Sequence, residues 1–64
     1  MITLQANVDG IDWSAVVYEN GDAFIYRGNQ RFDKGYDDGE MIHDTVRTPE
    51  YILRALEDSW EQAQ

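Results

Sequence analysis

Over residues 2–15 apolar and polar side chains alternate. Ile2, Leu4, Ala6 and Val8 are separated by Thr3, Gln5 and Asn7, and Ser14 stands between Trp13 and Ala15. A period of two marks a strand with one buried face. Two dipeptides, Asp9-Gly10 and Asn20-Gly21, punctuate the pattern, and both are favoured in two-residue hairpin loops whose residues take positive φ. Centred on Asp9-Gly10, the first hairpin pairs Val8 with Ile11, Ala6 with Trp13, Leu4 with Ala15 and Ile2 with Val17. Centred on Asn20-Gly21, the second pairs Val17 with Phe24, Ala15 with Tyr26 and Trp13 with Gly28. Paired residues share a face, so the apolar sets of three strands coincide on one side. The other side reads Thr3, Gln5, Asn7, Asp12, Ser14 and Arg27, with Val16, Tyr18, Ala23 and Ile25 gathered at one end. That cluster is expected to lie under the later loop or, failing that, to meet a partner.

The period changes near the C-terminus. In "TPEYILRALEDSWEQAQ" the residues Ile52, Leu53, Leu56, Trp60 and Ala63 recur at helical spacing and form one apolar stripe. Thr48 is a candidate cap, Pro49 suits the first helical position, and Glu50 favours the positive end of the helix dipole. The expected class is α+β: a three-stranded antiparallel β-meander packed on one C-terminal α-helix. A single domain, 1–64, divides into two hairpins over 1–28, an acidic loop over 29–47 and a helix over 48–63. Leu4, Trp13, Val17, Phe24, Leu56 and Trp60 are the expected core. Residues 28–47 are long for a structureless loop. Met41–Val46 is a candidate extended segment within them, and Phe32, Tyr36 and Ile42 are candidate anchors.

Charge changes the picture most. Thirteen acids against five bases give a net charge of −8, which repels nucleic acid and anionic lipid and attracts basic partners. The eight aromatic residues separate the chain from acidic disordered tails. With no cysteine there is no disulfide and no thiolate metal site, which fits a reducing, cytoplasmic setting. No apolar run is long enough to span a membrane. The five bases, Arg27, Arg31, Lys34, Arg47 and Arg54, are scattered, whereas phosphate contact needs them concentrated. Arg27 and Arg31 are expected to tether the acidic loop.

The stretch "FDKGYDDGEMIHD" sets five carboxylates against Lys34. As a calcium loop it fails: with Gly39 sixth, the first, third and twelfth positions fall on Lys34, Tyr36 and Thr45, none of them acidic. His43 is the only imidazole, which argues against a transition metal. Ser14 and Ser59 have no base in any motif, and no phosphate loop follows a strand. The expectation is a non-catalytic protein with no cofactor. The remaining use of so much acid is imitation of another anion. Asp33, Asp37, Asp38, Glu40 and Asp44 on the loop, with Glu50, Glu57 and Glu61 along one line of the helix, form the candidate partner-binding set. Asp9, Asp12, Glu19 and Asp22 add charge at the hairpin ends.

In size, charge and sheet-plus-helix layout, and through "YDDGE" at 36–40 and "EDSWE" at 57–61, the chain resembles the small anti-CRISPR proteins that phages encode. Several of these mimic DNA in the cationic channel or PAM-reading site of an effector. The resemblance implies a monomeric inhibitor in the cytoplasm of a bacterial host. It would occupy a basic nucleic-acid-binding protein, such as the large subunit of a type I Cascade-like complex, without turnover. Two other readings stand beside it. One is an acidic adaptor or antitoxin-like module that uses the Val16–Ile25 patch, and the other is a small cation-binding domain.

Overall fold

The first hairpin follows from its alternation and its turn. Strands β1 (Ile2–Val8) and β2 (Ile11–Val17) pair Ile2 with Val17, Leu4 with Ala15, Ala6 with Trp13 and Val8 with Ile11, the expected register. Asp9 (φ 54°) and Gly10 (φ 81°) are both left-handed, as this loop requires. These coordinates, a computed structural model, describe the backbone of residues 1–63 and the side chains of residues 1–60.

The second hairpin departs from expectation by one residue. Strand β3 is Asp22–Arg27. Tyr18 N–H donates to the Asp22 carbonyl and Gly21 N–H to the Tyr18 carbonyl, each at 2.9 Å. The loop is therefore Glu19-Asn20-Gly21, a turn closed by a left-handed glycine (φ 95°). Asn20 is not left-handed. Its side-chain oxygen accepts the Asp22 N–H at 3.0 Å, and that local bond holds the longer turn. Val17 now opposes Ala23, Ala15 opposes Ile25 and Trp13 opposes Arg27, in place of Phe24, Tyr26 and Gly28. A slip of one residue exchanges the faces of a strand. Ala23 and Ile25, expected outside with Val16 and Tyr18, are fully buried in the core. Phe24, expected in the core, lies half-buried on the outer face beside Val16.

The expected acidic loop is largely sheet. Strands β4 (Gln30–Asp37) and β5 (Ile42–His43) extend the meander to five antiparallel strands in the order β1-β2-β3-β4-β5, curled into a half-barrel. A bulge between Ile25 and Tyr26 leaves Phe32 unpaired. It turns both Phe32 and Asp33 toward the core side, where Phe32 meets Trp13 edge-on at 4.9 Å. Glycine at position 35 is required by close approach: a β-carbon there would sit 2.5 Å from the His43 carbonyl oxygen.

Helix α1 (Glu50–Ala63) lies in the concave side of the sheet. Ile52 and Leu56 are buried with Leu4, Trp13, Ala15, Val17, Ala23, Ile25 and Ile42, while Trp60 packs at the margin. The helix also serves both free edges of the sheet. Ser59 Oγ accepts the Gln5 N–H of β1 at 3.0 Å, and Glu57 Oε1 accepts the Ile42 N–H of β5 at 2.6 Å. An edge N–H answered by a side chain offers nothing to a stray strand. Thr48 does not cap through its hydroxyl, which instead donates to Asp33.

Candidate functional site

The eight carboxylates of the candidate set divide by what their oxygens already hold. Asp33 is committed to the fold. Its carboxylate accepts the N–H groups of Val46, Arg47 and Thr48 and the Thr48 hydroxyl, the last three at 2.8 Å on Oδ2. Three successive N–H groups aimed at one anion form a nest. Partial burial pushes the Asp33 carboxyl up, but these bonds and the Lys34 N–H outweigh it and hold the pKa at about 2. The expected cap of the helix is thus replaced by a strand carboxylate that grips the chain just before the helix starts.

Asp37 and Glu57 also leave the surface. Asp37 is only 5% exposed. Its Oδ1 accepts the Gly39 N–H at 2.6 Å, and Oδ2 has no partner among the described residues. Glu57, expected on an exposed line of the helix, is half-buried against β5. Glu50 is exposed and pairs with Arg54 at 2.9 Å, one turn along the same helix. The Glu61 side chain lies outside the described residues.

Asp38, Glu40 and Asp44 remain exposed. Asp38 shapes the β4–β5 turn: Oδ1 accepts the Glu40 and Met41 N–H groups at 2.9 Å, and Oδ2 meets His43 Nε2 at 2.8 Å. The two backbone bonds, more than the imidazole, hold its pKa down at about 2. Asp44 is left-handed (φ 62°) at the exit from β5.

Fold geometry brings a further pair to this turn. The Asp37 N–H donates to the Gly21 carbonyl at 2.7 Å, so the β2–β3 and β4–β5 turns sit together at one end of the sheet. Exposed Glu19, Asp22, Asp38 and Glu40 share that end, and neither turn contains a Lys or Arg. Their union was invisible along the chain because the contact joins residues in different hairpins. The expected tether of this acid by Arg27 and Arg31 is not seen. Arg31 lies 4.6 Å over the Phe24 ring on the outer face, and Arg27 stands opposite Trp13 at the other end.

Among the described residues no element packs on the outer face of the sheet. Val16, Phe24 and Tyr26 are half-buried there, and Tyr18 and Tyr36 are 43% and 47% exposed. The corrected patch is more aromatic than the expected one. A hollow of about 460 Å³ near the first hairpin is lined by Gln5, Asn7, Asp12 and Ser14. The only imidazole, His43, is held by Asp38 in the β4–β5 turn. Among the described residues no three His, Asp or Glu side chains converge as metal ligands, and no helix is long and apolar enough to cross a membrane.

No protein-family model, no curated protein and no solved structure matches the chain.

Proposed function

We propose that the protein is a non-catalytic inhibitor that presents an acidic end to the nucleic-acid-binding site of a basic partner and competes there with DNA. The observation that carries this reading is the joined pair of turns bearing Glu19, Asp22, Asp38 and Glu40, with no Lys or Arg in either turn. Carboxylates gathered at one end of the sheet meet Lys and Arg clusters that read the geometry of a phosphate backbone. Opposite charge speeds the encounter, and salt weakens it. A type I CRISPR effector is the target that the resemblance in size, charge and layout favours. Asp44 and the exposed acids Glu50 and Asp58 add to the field around the protein.

The test reverses Glu19 and Glu40 together to Lys. Both are exposed, and neither side chain takes part in a hydrogen bond or ion pair among the described residues. Such surface changes usually alter stability by less than about 0.5 kcal/mol each. Competition with DNA for a purified effector should fall at least about tenfold in the variant, and wild-type binding should weaken as salt rises. Equal inhibition by both proteins, unaffected by salt, would rule mimicry out.

A second reading rests on the uncovered outer face. An adaptor that docks there uses Val16, Tyr18, Phe24, Tyr26 and Tyr36, and it tolerates reversal at Glu19 and Glu40. Phe24→Asp separates the two, because it abolishes adaptor binding and leaves the acidic end in place.

A further inference from the structure

The end of the sheet opposite the acidic turns has a different character. A cleft of about 300 Å³ opens there between the first hairpin and the start of α1. Val8 and Ile11 line it from the hairpin, Tyr51 and Ile52 from the helix, and the edge-on pair of Trp13 and Phe32 lines it with them. Arg27 and Arg47 reach it from the β3 end and from the segment before the helix. Arg47 is held 4.4 Å over the Phe32 ring. That position fixes the guanidinium while leaving its N–H donors for an oxygen acceptor.

What needs explanation is that both arginines lack an ion pair. Arg54 is paired with Glu50, and Arg27, Arg31, Lys34 and Arg47 pair with no described carboxylate; of these four, Arg27 and Arg47 are the two that line one cleft. Asp9 lies on the same rim without bridging to either. Two unpaired guanidiniums beside an apolar wall are complementary to an oxyanion carried on an apolar body. Size narrows the body: a cavity of about 150 Å³ accepts benzene, so this cleft accommodates a ring with a short linker. Charge narrows the head. Asp9 on the rim offsets one of the two guanidinium charges, so a monoanion is enough to neutralise the cleft.

We infer that this cleft binds a small organic acid, its aromatic or compact alkyl group over Trp13 and its carboxylate on Arg27 and Arg47. The site is separate from the acidic end and independent of the function proposed for it.

The experiment titrates the full chain with 3-phenylpropionate. It follows Trp fluorescence and the Trp13 indole and arginine Nε–H resonances, with 3-phenylpropanol, acetate and phenyl phosphate as comparisons. A saturable change with the carboxylate is expected, at least about tenfold weaker with the alcohol and with acetate, and weaker with the phosphate dianion at neutral pH. The Arg27→Gln/Arg47→Gln double variant should lose about tenfold or more in affinity for the acid, with amide shifts altered only around the cleft. Equal affinity for alcohol and acid, no saturable change with the acid, or unaltered binding by the double variant would each overturn the proposal. Tighter binding of phenyl phosphate would overturn the assignment of the carboxylate. The comparison of acid with alcohol uses the wild type, so it decides the matter whatever the stability of the variant.

Discussion

Asp33 and Asp38 stand five residues apart on the same strand and the turn that follows it, and the pKa of each is held down at about 2. Their surroundings differ. Asp33 is partly shielded, and its acceptors join β4 to residues 46–48, well over ten residues along the chain. Asp38 is exposed, and its backbone partners are two and three residues away. A similar depression thus arises from a long-range clasp in one place and a local turn in the other. Hydrogen bonds to a charged carboxylate lower its pKa wherever they come from. Bonds that close a long loop tie distant segments together, whereas bonds within a turn act mainly on that turn.

The largest expected effect follows from removing the clasp. Asp33→Ala strands the N–H groups of Val46, Arg47 and Thr48 and should destabilise the fold by about 2–3 kcal/mol, measured by chemical denaturation. A cost indistinguishable from that of Asp38→Ala would mean that the clasp and the turn hold the fold alike.

Acid should reveal the same difference more gently. The pKa of Asp33 in the fold lies below its ordinary value of 3.8, so its contribution is complete above that value. It is lost as pH falls from about 3.8 towards about 2. Unfolding midpoints followed across this window should drop for the wild type and drop less for Asp33→Asn. Should the two curves run parallel, acid sensitivity comes from another carboxylate.

The smallest effect belongs to the turn. Asp38→Ala should leave the global unfolding midpoint nearly unchanged while the Glu40 and Met41 amides exchange faster with solvent. Faster exchange across every strand would mean that the turn is part of the global unit after all.

What could be read from the chain depended on the range of the interactions involved. The Asp9-Gly10 hairpin was fully legible because its loop and its alternation agree. Asn20-Gly21 carries the same kind of dipeptide, but the Asn20 side chain bonds to Asp22 and lengthens the loop, which moved Phe24 outward and Ala23 and Ile25 inward. Strand β4 was missed because its inward positions after the bulge hold Asp33, Gly35 and Asp37, so no apolar alternation marks it. The acids of the candidate site were legible as a composition, but not by role. Asp33, Asp37 and Glu57 serve the interior through partners or burial that spacing along the chain does not announce.

Ser59 and Glu57 each take up one backbone donor at a sheet edge, and this has a consequence for how the protein is made. Synthesis runs from β1 to α1, so all five strands leave the ribosome before either residue that guards an edge. Until then the backbone donors at Gln5 and Ile42 lack their side-chain acceptors and stay open to another strand. A chain stopped before Glu50 therefore should accumulate as aggregate, because the element that serves both edges never appears.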